Sequence, residues 1–197
     1  MLNGRKPLIA AMLATLVACE SDASGPESGD ESITFTLDGS TRTLSGTPGS
    51  SLLAQTFVAA RADSVGGIVA VGYESAGNAT GHLFVLQAPR ATGTYSCGDD
   101  FAASPCHGRY ITGISGTSTA QFQRFFNVVS GSVTWTQIGP DRLRGTFTLS
   151  LRAGDDRPDG LMEITNGVID VPYVADPNAS GALGCLLKVA GVAGMSC

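Results

Sequence analysis

Arg142-Leu143-Arg144-Gly145-Thr146-Phe147-Thr148-Leu149-Ser150-Leu151-Arg152 is the most regular stretch of this chain. Leu143, Gly145, Phe147, Leu149 and Leu151 fall on one side of an extended backbone, with Arg144, Thr146, Thr148, Ser150 and Arg152 on the other. Side chains alternate across a strand with period two, so the pattern describes a strand with one buried and one wet face. Just upstream, Ser132 to Gln137 sets Val133 and Trp135 on one face against Thr134 and Thr136 on the other, which places Trp135 in the core. Gly145 has no side chain to pack in mid-strand, and this predicts either a bulge or a bulky neighbour, such as Trp135, lying across it.

Working outward, the same period recurs and no window of helical length keeps a 3.6 period. Ile33, Phe35 and Leu37 alternate with Thr34 and Thr36 up to Asp38-Gly39, a hairpin signal after which Thr41 to Leu44 returns. Further strands are expected over Gln55 to Ala62, Gly67 to Glu74, His82 to Ala88, Gly93 to Cys97, Arg109 to Ser115, Ala120 to Val129 and Leu161 to Val174, with Gly, Pro, Asn and Asp between them. Short strands at turn-marked spacing argue for an all-β domain of about ten strands, an antiparallel β-sandwich with a closed β-barrel as the alternative. The tail from Gly181 is rich in Gly and Ala and reads equally as strand, helical turn or pinned loop.

The chain of 197 residues has a formal net charge of −5, 43% hydrophobic and 15% charged residues, enough apolar content for one core. An acidic domain without a basic stripe works against nucleic-acid binding.

The first eighteen residues combine a basic start, Arg5-Lys6, with an apolar run from Leu8 to Val17. That is the form of a secretion signal, at about half the ~20 residues a membrane helix needs. The tetrapeptide Leu16-Val17-Ala18-Cys19 closes it. It resembles the lipobox of bacterial lipoprotein precursors, and the resemblance implies cleavage before Cys19 and acylation of Cys19 itself. Glu20 in place of an aspartate after that cysteine implies the outer membrane rather than the inner one. Residues 20–32 carry five acids and no large apolar side chain, and so read as a flexible tether. Two of the 12 basic residues lie in the leader and all 17 acids lie beyond it, so the chain from Cys19 carries a formal −7 and would be repelled by anionic head groups. The expected organisation is a signal peptide over 1–18, a tether over 19–32 and a single all-β domain over 33–197, linked to the membrane through lipid alone.

Four cysteines then remain, Cys97, Cys106, Cys185 and Cys197. An even count outside the cytoplasm suggests two disulfides, and among the three possible pairings closeness in sequence favours Cys97 with Cys106 and Cys185 with Cys197. A metal reading of the first pair would add Asp99, Asp100 and His107, but eight residues between the cysteines exceed the usual two to four of a zinc site. No metal or other cofactor is expected.

A second resemblance rests on Ser130-Gly131-Ser132-Val133-Thr134-Trp135-Thr136, on Arg142 to Leu149, on Ile164-Thr165-Asn166-Gly167-Val168-Ile169-Asp170-Val171, and on Gly93-Thr94-Tyr95 upstream. Over Ile33 to Tyr173 the chain is similar to a family of small bacterial lipoproteins of unknown function. The resemblance implies an all-β lipoprotein domain and carries no catalytic residue. Read without it, Asn166-Gly167 tolerates positive φ and so bends a strand or pairs two.

Signals for chemistry are sparse. His82 and His107 are the only histidines, and Gly113-Ile114-Ser115-Gly116 places its last glycine one residue too early for a nucleophile elbow. Glu74, Asp99, Asp100 and Glu163 are the carboxylates from which a hydrolase would have to be built. Gly154 to Gly160 gathers Asp155, Asp156 and Asp159, yet lacks the alternating spacing of a calcium loop and ends in a Pro-Asp-Gly turn. Asn78-Ala79-Thr80 and Asn178-Ala179-Ser180 mark surface loops. No catalytic residue is assigned. The expectation is a lipid-anchored, non-enzymatic envelope module that binds a protein or a glycan. One alternative is a carrier of a small apolar or glycan ligand, with Trp135, Phe125 or Phe126 in its pocket; the other is a carboxylate-dependent envelope hydrolase.

Overall fold

Asp38 and Gly39 adopt φ of 46° and 80°, the left-handed conformation that Asp tolerates and Gly prefers, and one whose twist suits a two-residue hairpin. They join β1 (Ser32–Leu37) to β2 (Ser40–Ser45). The protein is seen here as a computed structural model that describes residues 31–46, 57–62, 66–75, 80–100, 102–115, 122–154 and 160–173. The other strands are β3 (Phe57–Ala62), β4 (Gly67–Ser75), β5 (Thr80–Pro89), β6 (Gly93–Ser96), β7 (His107–Ser115), β8 (Arg124–Ile138), β9 (Arg142–Ala153) and β10 (Met162–Pro172).

All ten strands pair antiparallel in one sheet, in the order β2-β1-β10-β9-β8-β7-β5-β4-β3, with β6 against β8. Among the described residues there is no helix. Tyr173, just beyond β10, bridges Ala60 of β3, so the sheet curls nearly to closure. The all-β expectation holds, and a flattened sandwich and a barrel both describe this curled sheet.

One expected boundary is absent. Ala120 to Val129 and Ser132 to Gln137 read as two strands, whereas β8 runs as one through Arg124–Ile138, 15 residues long. Gly131 takes φ of 130°, and a Cβ there would meet the Leu149 Cα at 2.8 Å, so the glycine bends the strand against β9 without ending it. Before the bend β8 pairs with β7, after it with β6, and β9 follows it on both sides. Asn166 likewise bends a single strand. Its φ is 53°, and it lies in a bulge of β10 between Ile164 and Gly167.

The inward side chains form one continuous cluster. Phe35, Phe84, Tyr110, Phe126 and Phe147 pack there with ring centroids 5.0 to 6.5 Å apart. Trp135 is 1% exposed, and a Cβ on Gly145 would stand 2.5 Å from its Cε3. The missing side chain of Gly145 is therefore the space the indole occupies.

Candidate functional site

The outward residues of β9 give the candidate site its floor plan. Register places Thr134 of β8 opposite Thr146, and Ser132 opposite Thr148. Thr94 of β6 stands opposite Thr134, Val168 of β10 opposite Thr146, Thr34 of β1 opposite Val168, and Thr43 of β2 opposite Thr34. A row of β-branched side chains thus crosses six strands at the ~4.8 Å spacing of a sheet. The Thr94 and Thr134 hydroxyls lie 2.8 Å apart, and the Thr34 hydroxyl donates to that of Thr43 at 3.4 Å.

Between β8, β9 and β10 the row opens into a groove of about 350 Å³ lined by Ser132, Thr134, Thr146, Phe147, Thr148, Asn166, Gly167 and Val168. The bulge in β10 brings Asn166 to its edge, and Val168, 49% exposed, adds an apolar contact. Each hydroxyl supplies one donor and two acceptors, and the amide supplies both kinds of group. None of the lining side chains titrates near neutral pH. At the end of the same face Asp170 receives hydrogen bonds from Arg142 and Arg144, the latter at 3.1 Å. Partial burial raises the Asp170 pKa, but the two guanidinium groups outweigh it and leave it below the ordinary carboxylate value.

A second polar group lies among the inward-facing side chains. Phe35 points into the core and stands opposite Arg42, which therefore shares its face. Arg42 donates to Glu74 at 3.4 Å, and Glu74 stands opposite His82. The His82 ring stacks on Tyr110 with centroids 6.0 Å apart and planes 7° from parallel. Burial lowers the His82 pKa below 6.5, with Glu74 opposing and Arg42 reinforcing the shift, so the ring is neutral at pH 7. Burial also raises the Tyr110 pKa, against Arg42 and together with Glu74.

The structure disperses the carboxylates singled out in the sequence. Glu74 pairs with Arg42 on the inner face. Glu163 is exposed on the outer face of β10, where it accepts from the Ser150 hydroxyl at 2.9 Å. Asp100 accepts from the backbone N–H of Ala102 at 2.9 Å and of Ala103 at 3.3 Å, and so organises a turn. Asp99 is exposed beside it. Cys97 and Cys106 form a disulfide with Cα atoms 4.2 Å apart. The His107 Nδ1–H donates to the Gly98 carbonyl at 3.2 Å, and no metal-binding cluster is present among the described residues. Phe126 and Trp135 belong to the core. Phe125 lies on the opposite face of β8 from Phe126, against Phe122 with centroids 5.7 Å apart. Cys19, Cys185, Cys197, Asn78, Asn178 and Asp155 to Asp159 lie outside the described residues.

Two features escaped the sequence. Arg42 falls at an inward position, between Ser40 and Leu44, where alternation asks for an apolar residue, and that misfit was the available signal. The hydroxyl row had only half a signal, because each strand showed its own wet side while register between strands is a property of pairing. Comparison of the chain with protein-family models, curated proteins and solved structures finds no match.

Proposed function

We propose that this is a lipid-anchored protein of the bacterial cell envelope, held at the outer membrane through Cys19, whose β domain is a non-enzymatic module that binds a neutral glycan. The groove carries the binding half of this reading. Its hydroxyl and amide lining can exchange hydrogen bonds with sugar hydroxyls in both directions, while no ionisable side chain in it offers acid-base chemistry. The aromatic rings that fill the interior favour a ligand on the surface over one enclosed within. The anchoring half rests on Leu16-Val17-Ala18-Cys19 and the acidic tether after it. Each buried acyl methylene contributes about 0.8 kcal/mol, so several chains on one cysteine hold a protein firmly.

Calorimetric titration of the detergent-solubilised protein with uncharged cell-wall oligosaccharides tests the binding. Saturable binding is expected, with at least a tenfold loss in the Thr134→Val, Thr146→Val double variant, which keeps both β-branched shapes and removes two hydroxyls. Binding unchanged by that variant would move the ligand away from the groove. A Cys19→Ser chain should leave the membrane fraction; its retention at high salt would refute a lipid-only anchor.

A further inference from the structure

The outer face of β3, β4, β5 and β7 is unlike the hydroxyl face. Val69, Val71 and Tyr73 of β4, Leu83 and Val85 of β5, and Ile111 of β7 stand outside the interior cluster, and register places Val71 opposite Val85, Tyr73 opposite Leu83, and Leu83 opposite Ile111. None is more than 3% exposed. Among the described residues every strand belongs to the one curled sheet, so no strand lies outside this face to bury it.

We propose that the C-terminal segment Gly181–Cys197 docks on this face and covers it. The chain leaves β10 at Tyr173, which bridges Ala60 of β3, at the edge of the face. The face is four strands wide, about 14 Å from β3 to β7. Residues 174–180, extended, reach about 23 Å, enough to bring Gly181 over it. From there the sequence offers Leu183, Leu186, Leu187, Val189, Val192 and Met195, with Lys188 its only charged residue. Burying such a segment on an apolar face is the arrangement that removes both from water. The segment that joins β2 to β3, residues 47–56, holds two leucines among mostly polar residues, and on either side of it the Val58 N–H donates to the Gly46 carbonyl at 2.9 Å. The docked tail would also give Cys185 and Cys197 a shared location, which suits their pairing.

Lys188 is the only lysine beyond Lys6 of the leader, so an amine-reactive diazirine can be placed on it alone in the detergent-solubilised chain that has been cleaved before Cys19 and acylated on its amine, which intact mass verifies first. Photolysis at low protein concentration should give intramolecular crosslinks to peptides spanning Gly67–Ser75, Thr80–Pro89 or His107–Ser115. Crosslinks confined to Arg142–Ala153 and Met162–Pro172, found only between chains, or absent would overturn the proposal. Hydroxyl-radical footprinting gives a second reading in the Leu186→Asp, Leu187→Asp variant. Tyr73 labelling should rise at least tenfold over the parent while Tyr110, inside the core, stays protected. Tyr73 remaining protected together with Tyr110 would also refute the docking. A variant in which both tyrosines become reactive has lost its core, and the crosslinks of the parent chain then decide alone.

Discussion

β9 and β4 lie in the same sheet and bury it differently. β9, Arg142–Ala153, has a buried residue at every second position from Leu143 onward, with exposed Arg and Thr or half-buried Ser between. In β4, Gly67–Ser75, six consecutive residues from Ile68 to Tyr73 are buried. An antiparallel sheet usually keeps one face in water, and a continuous apolar run marks a strand dry on both sides. The molecule therefore has a wet half, β6, β8, β9, β10, β1 and β2, and a dry half, β3, β4, β5 and β7. Only the wet half can present a polar binding surface. The sharpest way to break this comparison is to set an aspartate at matched outward positions. Val71→Asp should cost about 3 to 5 kcal/mol, because it leaves an uncompensated buried charge, whereas Thr146→Asp should stay within about 0.5 kcal/mol. Urea midpoints measure both. A Val71→Asp cost below about 1 kcal/mol would mean that the two halves do not differ.

Within the wet half, the inward face should be as intolerant as the dry half's outer one. Trp135→Ala is expected to cost about 3 to 4 kcal/mol through the cavity it leaves. Gly145→Ala should cost about 1 to 3 kcal/mol by overpacking, because its Cβ would strike the indole. In the double variant most of the Gly145→Ala penalty should vanish, and a coupling near zero in the cycle would show that the two residues do not share the space.

The contrast between halves also explains what could be read in advance. Leu143 to Leu151 announced their strand and its faces because one side meets water and the other does not, and that difference is written into alternation. Trp135 and Gly145 could be linked for the same reason, one too large and the other too small at inward positions. Ile68 to Tyr73 read as a strand, but a run apolar on both sides says nothing about which side faces the core. Ser130-Gly131 signalled a turn and produced a bend, since glycine permits both and the pairing with β9 selects between them. The hydroxyl row stayed hidden longest. It needs the registers of five strand pairs at once, and a slip of one residue in any of them would turn a threonine inward.

The Cys97–Cys106 disulfide joins the two halves, because Cys97 follows β6, which pairs with β8, and Cys106 precedes β7, which pairs with β5. Closing this short loop contributes about 2 to 3 kcal/mol. Replacing both cysteines by serine should lower the urea midpoint by that amount. Amide exchange should quicken first along Arg109–Thr112, where β7 meets β8, and a uniform rise over both halves would mean that the disulfide is no seam between them.

Acid titration should give the smallest effect and should separate the halves by pH. His82 belongs to the dry half, and burial holds its folded pKa below 6.5. As pH falls through about 6.5 the unfolded chain takes up a proton that the folded chain refuses, so stability declines until the folded pKa is reached. Asp170 belongs to the wet half, and its two arginines hold its folded pKa below 3.8. Its contribution is complete above that value and is lost as pH falls through it, because the unfolded carboxylate protonates first. His82→Gln should flatten the decline between pH 7.5 and 5 and leave the one below pH 4 in place, while Asp170→Asn should do the reverse. Urea midpoints at pH 7.5, 5 and 3 for the parent and both variants measure this. If Asp170→Asn removed the upper decline, the assignment of the two pH windows to the two halves would be wrong.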